Sequence, residues 1–233
     1  MTVYSVRGPK TEALIRKNLN VQGSIGHGDP GFLIPSLFPQ YQKDTPKKKK
    51  EEKPRICFVP HFHDKDYAEL KLLPSKDVIN VKNKWQPVVE SIQKCDYVAS
   101  SSLHGIIIAN AIGIPTMWFQ FPDGKTSETE GFYKYQDYFE FLHHMDKTPV
   151  GNFSLVFDYE AYDPIISESK RKSIFDSILS TFPYDLFETD EDLTDEESFD
   201  RTMNATETSV EESKSLKLDM NSTTIIQEES ERQ

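Results

Sequence analysis

Between Ile56 and Gln120 short apolar runs alternate with helical patterns, and that alternation constrains the fold more than any other feature of the 233-residue chain. Ile56-Cys-Phe-Val59 has strand length and is stopped by Pro60, and Val78-Ile-Asn-Val81 reads as the next strand. Trp85–Lys94 follows a helical period, with Pro87 tolerated in the first turn and Val88, Val89 and Ile92 forming the apolar stripe. Tyr97-Val-Ala99 predicts a strand and Leu103–Ile112 a helix. Gly113 suits a left-handed cap for that helix, and Pro115 bars its continuation. Thr116-Met-Trp-Phe-Gln120 is a further buried strand. Strand–helix–strand–helix–strand implies an α/β fold, a parallel sheet wrapped by helices, with its ligand site at the C-terminal ends of the strands.

The flanks are less regular. Tyr4–Arg7 reads as a strand end that Gly8-Pro9 turns into a helix, with Ala13, Leu14 and Leu19 as its apolar positions. Gly23–Gly31 is a glycine-rich loop, followed by the apolar run Phe32–Phe38. Phe132–Leu142 and Ser167–Thr181 have helical patterns. Asp44–Pro54 holds Lys47–Lys50 and Glu51-Glu52, a solvated insert. From Glu188 onward 15 acidic residues face 4 basic ones and aromatics nearly vanish, so this tail is expected to be disordered. It accounts for the low mean hydropathy of −0.58 and for the whole net charge of −11. Residues 1–187 carry 23 charges of each sign, which removes any global-charge argument for nucleic acid as a partner. The expected organisation is a segment of residues 1–54, an α/β domain at 55–187 and the tail at 188–233. Cys57 and Cys95 are too few for a disulfide framework or a zinc set and are expected as buried free thiols. No run of 18 apolar residues occurs and no signal-peptide layout follows Met1.

The chemistry concentrates in Ser100-Ser-Ser-Leu-His-Gly105, between a buried strand and a helix. Three hydroxyls are available to cap the helix, whose first N–H groups carry partial positive charge toward the crevice, a geometry that receives phosphate. His104 falls in the first turn, where it can meet a bound anion or donate a proton. Gly105 lets a ligand or a neighbouring backbone come close.

Cys95–Trp118 as a whole resembles the core motif of the polysaccharide pyruvyl transferases. Further blocks agree in the same order: Val6-Arg-Gly-Pro-Lys-Thr11, Gly28-Asp-Pro-Gly-Phe-Leu33, Pro60-His61, Lys134-Tyr-Gln-Asp-Tyr138 and Phe182-Pro183. The resemblance covers residues 4–184. It implies a Rossmann-like C-terminal half of a GT-B-like two-domain architecture, with an N-terminal half expected outside this chain. It also implies transfer of the pyruvyl unit of phosphoenolpyruvate onto two hydroxyls of a glycan sugar, giving a pyruvate ketal and phosphate. Phosphoenolpyruvate is then a substrate, and neither a cofactor nor a metal is invoked.

On that resemblance Arg7 is the clamp for the donor's anionic groups and His104 supplies or relays the proton that the alkene carbon needs. Ser101, Ser102, Leu103, Gly105, His61, Asp29 and Asp137 are the expected substrate contacts. Ser102 departs from relatives that carry arginine before Leu-His-Gly, which leaves Arg7 as the cation matched to the family. His61-Phe-His-Asp64 admits three readings: zinc ligands, a sugar contact or a structural role. The aromatics of Phe132–Phe139 suit either sugar stacking or core packing. His27 lies equally well in solvent or near the acceptor, and His143-His144 at the surface. A non-catalytic binding remnant and a nucleotide-sugar glycosyltransferase stay open as alternatives. The relatives work in the cytoplasm or, in eukaryotes, in the Golgi, and the sequons at Asn152, Asn204 and Asn221 bear only slightly on that choice.

Overall fold

A computed structural model describes residues 2–42, 53–122, 132–144 and 147–182. The Lys-rich stretch at 43–52, the sequons at Asn204 and Asn221 and the acidic tail lie outside them. The described residues fall in one unit, 1–182. Its centre is a three-stranded parallel sheet of β3 (Ile56–Val59), β4 (Tyr97–Ser100) and β5 (Thr116–Trp118), in that order. The register pairs Ile56 with Tyr97 and Ala99 with Met117. Val78–Val81 contributes only an isolated bridge from Val78 to Phe58, plus an N–H from Ile79 to the Phe58 carbonyl. The expected strand there does not extend.

The strands alternate faces, as a period of two requires. Cys57, Val59 and Val98 point toward α3 (Trp85–Gln93) and α4 (Leu103–Ile112), where they meet Val88, Val89, Ile92, Ala109 and Ile112. Phe58, Ala99, Met117 and Phe119 point the other way. That face is covered by Phe153 and Val156 from the 3-10 turn Phe153–Phe157 and by Leu70, which is not the helical layer expected. Eight of the ten α4 residues are buried, because its second face (Leu103, Ile106, Ile107, Ala111) packs on α5 (Tyr133–Phe141) and α6 (Glu168–Ser180). A helix buried on both sides needs this all-round apolar composition. Gly113 ends it at φ +90°, the left-handed geometry expected.

The N-terminal segment holds two surprises. The glycine loop contains β2 (Gly26–His27), paired in parallel with β1 (Ser5–Val6). The intended core face of α1 (Pro9–Asn18) is exposed at Ala13 and Leu14, as is Leu19 just past its end, and the helix buries no residue. The run after the loop forms a 3-10 turn, Pro30–Leu33, and one α turn, α2 (Ile34–Leu37). Cys57 and Cys95 are bonded to each other, with Cα atoms 5.8 Å apart, and are not the free thiols expected. Parallel pairing of β3 with β4 delivers the residues entering β4 to the side of Cys57, a proximity that spacing in the chain does not reveal. Among the described residues no helix is long and apolar enough to cross a membrane.

Candidate functional site

The C-terminal ends of β3 and β4 open into a cavity of about 680 Å³ at the N-terminus of α4. Arg7, His61, Ser102, Leu103, His104, Gly105 and Lys134 line it. His104 stands in the first turn of α4 with 69% of its side chain exposed, its Nε2 3.9 Å from Asp29 Oδ2. Arg7, one residue past β1, donates from Nε to the same oxygen at 3.3 Å. Asp29 is buried, and its other oxygen accepts from the Gly31 N–H, so it starts the 3-10 turn while fixing the Arg7 guanidinium. A charge-assisted pair of this kind orients the fork without needing the terminal nitrogens. Asp29 is therefore placed to position the cation and does not line the cavity.

The serines do something other than cap. Ser102 is the N-cap residue, yet its side chain makes no capping hydrogen bond. Ser100 Oγ donates to the Val59 carbonyl at 2.7 Å and accepts from the Ser102 N–H at 3.0 Å, stitching β3 to the turn. Ser101 Oγ accepts from the His61 N–H at 3.0 Å, and the Ser101 carbonyl accepts from Tyr135 Oη at 2.7 Å. Both Ser100 and Ser101 are fully buried, so Ser101 holds the turn's shape and is not exposed to a ligand. Gly105 serves a neighbour: a Cβ there would stand 2.5 Å from Ser100 Oγ and 2.8 Å from Val59 Cγ1.

His61 is largely buried, and burial together with the Lys134 charge lowers its affinity for a proton. Lys134, at the start of α5, is itself shifted down by burial and by the Arg7 charge. These mutual effects mean that the cations of the cavity feel one another, and an anion between them offsets the repulsion. Lys134 is a site residue that the sequence reading misses; its place one helical turn before Asp137, in the Lys134–Tyr138 block, is the signal that points to it.

Asp137 leaves the site. Fully buried, its Oδ1 accepts from the N–H groups of Lys10 (2.8 Å) and Thr11 (3.1 Å), and its Oδ2 accepts from Thr11 Oγ1 at 2.6 Å. It caps α1 from another helix. The aromatics of α5 are largely core: Tyr135, Tyr138 and Phe139 are buried, and Tyr135 stacks on Trp118 at 4.8 Å. His27 binds Glu12 at 2.6 Å, away from the cavity, and His143 and His144 are exposed. His61 and His63 have ring centroids 5.4 Å apart, and no group of three metal-ligating side chains occurs among the described residues.

The family model of polysaccharide pyruvyl transferases matches residues 2–120, which include Arg7, Asp29, His61 and the whole Ser100–Gly105 turn. "Uncharacterized protein L143" of Acanthamoeba polyphaga mimivirus is 29% identical over 142 residues, 58% of this chain and 47% of its own length. The chain thus spans about half the length of that relative. No solved structure matches it. With the family's match spanning half the chain and including the turn, this chain belongs to the polysaccharide pyruvyl transferase family.

Proposed function

We propose that the cavity binds phosphoenolpyruvate and that the chain serves transfer of its pyruvyl unit to a glycan sugar, as one half of a GT-B-like enzyme. The observation that carries this reading is the convergence of Arg7, Lys134, His61 and His104 on one cavity at a helix N-terminus. Phosphoenolpyruvate presents a phosphate and a carboxylate a few bonds apart. Two cations and the first N–H groups of α4 match that pair of charges.

The reaction then proceeds in balanced steps. A proton from His104 converts the methylene carbon to a methyl, leaving positive charge on the carbon bearing phosphate and carboxylate. One sugar hydroxyl adds to that carbon and loses its proton to the imidazole. The C–O bond to phosphate breaks, phosphate leaves, and the second hydroxyl adds at the same carbon, its proton passing to the departing phosphate. Arg7 and Lys134 hold the anionic groups throughout. His61, kept neutral by burial, offers a hydrogen-bonding ring without adding charge.

Calorimetric titration of the full chain with phosphoenolpyruvate tests the assignment. A charge-assisted hydrogen bond contributes about 1.5–3 kcal/mol, so Arg7→Ala is expected to weaken binding by one to two orders of magnitude and Arg7→Lys by less. His104→Ala is expected to keep binding but lower phosphate release in the presence of a galactoside by ~10²–10⁴-fold. No binding by the unaltered chain, or unchanged affinity in Arg7→Ala with folding intact, would remove the reading.

A further inference from the structure

The cavity is larger than a three-carbon phosphate ester requires, and its lining holds a second chemistry besides the cations. Leu37, Phe38, Phe62 and Trp85 line it together with Asn83. Trp85, first residue of α3, is 44% exposed, Phe38 is 37% exposed, and their ring centroids stand 5.3 Å apart. Behind them Tyr41, which is buried, meets both rings, edge-on to Trp85 at 5.8 Å. The indole is therefore held by packing from behind while much of it remains open. An indole anchored on one side and open on the other is an expensive arrangement for a residue whose burial gives so much, and it marks a surface that receives a ligand.

We propose that Trp85 and Phe38 form the acceptor subsite, a shelf on which the apolar C–H face of a pyranose ring of the glycan stacks, with the Asn83 amide at its rim meeting a ring hydroxyl. The proposal rests on the reading of the cavity as a pyruvyl transfer site and names the residues that receive its sugar substrate. Three observations favour a sugar over another occupant. The shelf and the cations line one and the same cavity, so a ring lying on the shelf shares that space with the donor. Its two partly exposed aromatic rings, tilted at 50° to each other, share the lining with Asn83, which suits a ring that has an apolar face and polar edges. The family to which the chain belongs modifies polysaccharides. Stacking one face leaves the opposite edge, with its two hydroxyls, free to approach the carbon that bears the leaving phosphate. The role that the aromatics of α5 do not fill thus passes to residues from the α2 turn and the start of α3.

The chain itself carries the reporter. It has two tryptophans, and Trp118 is 1% exposed, so a fluorescence change on adding a sugar comes from Trp85. Titrating the full chain with methyl galactoside and with a short galactan is expected to shift and quench emission. Trp85→Ala, followed by saturation-transfer NMR of the glycoside, is expected to weaken sugar binding about three- to tenfold or more, and Trp85→Phe by less. Phosphoenolpyruvate affinity is expected to stay within about twofold in both, with circular dichroism confirming the fold. Equal sugar affinity in Trp85→Ala and the unaltered chain overturns the shelf, as does an absence of any sugar response while phosphoenolpyruvate still binds. A stronger response to a free nucleotide than to the glycoside also overturns it, since the shelf would then serve a base. Sugar binding that depends on Trp85 without phosphoenolpyruvate binding leaves the shelf standing and removes the donor reading instead.

Discussion

His61 shows how one buried side chain ties the site to the stability of the fold. Burial is the main cause of its lowered proton affinity; Lys134, His63 and His104 act in the same direction, and Asp64 opposes them. In the unfolded chain the imidazole titrates near its ordinary value of 6.5, above its value in the fold. As pH falls through that range the unfolded state takes up the proton first. The stabilisation held by the neutral ring is full above about 6.5 and is lost as pH drops through the lower, folded value. Denaturant unfolding between pH 7.5 and 5 is therefore expected to show stability falling with acid, and His61→Gln to flatten that part of the slope. An identical pH slope in the variant would show that the ring is not the sensor. Ser101, read from the chain as a ligand contact, belongs to the same scale of argument. A hydroxyl in such a turn looks alike whether it faces a ligand or the adjoining strand. Only the parallel placement of β3 beside β4 directs Ser101 toward the His61 backbone.

At the scale of elements, α1 and α5 explain why Arg7 is where it is. The first turn of α1 has no cap of its own: Gly8 offers no side chain, and the donors of Lys10 and Thr11 are met by Asp137 from α5. A Cβ on Gly8 would stand 2.3 Å from the Asp137 carbonyl oxygen, so the two helices approach closely because that position is glycine. Arg7 directly precedes this junction, and Lys134 lies one turn before Asp137. The carboxylate thereby ties together the two elements next to which the cavity's cations lie. Asp137→Ala leaves three part-buried donors without their acceptor and is expected to cost about 1–3 kcal/mol of stability, with a lowered melting temperature. Loosened phosphoenolpyruvate binding should accompany it. A melting temperature within experimental error of the unaltered chain would refute this coupling. The capping of a helix by a residue more than a hundred positions away has no local signature, which is why Asp137 reads from the chain as a site residue.

For the molecule as a whole, the bond between Cys57 and Cys95 closes a 38-residue separation that contains α3 and the stretch leading into it. In the chain-entropy account a loop of this size stabilises the fold by about 4 kcal/mol through its effect on the unfolded state. Guanidinium unfolding of the oxidised chain is expected to have a clearly higher midpoint than that of the reduced chain, and Cys57→Ser with Cys95→Ser to match the reduced form. Coincident midpoints would show that the bond does not constrain the unfolded chain. The bond persists only where the surroundings are oxidising. Two cysteines in apolar, strand-like stretches of sequence give no hint of pairing, because the decisive quantity is the distance between segments.

The alternation of apolar runs with helical patterns determined the parallel α/β core, the boundaries of α3 and α4 within a residue, and the left-handed stop at Gly113. Each depends on periodicity or on local backbone sterics, which are properties of neighbouring residues. The family resemblance, not periodicity, named Arg7, His61 and the Ser102–Gly105 turn as expected contacts, and each lies at or next to the end of a strand. What only tertiary structure decided are the matters of distance between segments. The disulfide, the cap by Asp137, the buried serines, Lys134 in the cavity and the open face of Trp85 all arise where elements far apart in sequence meet. Side-chain type alone does not say which neighbour will be there.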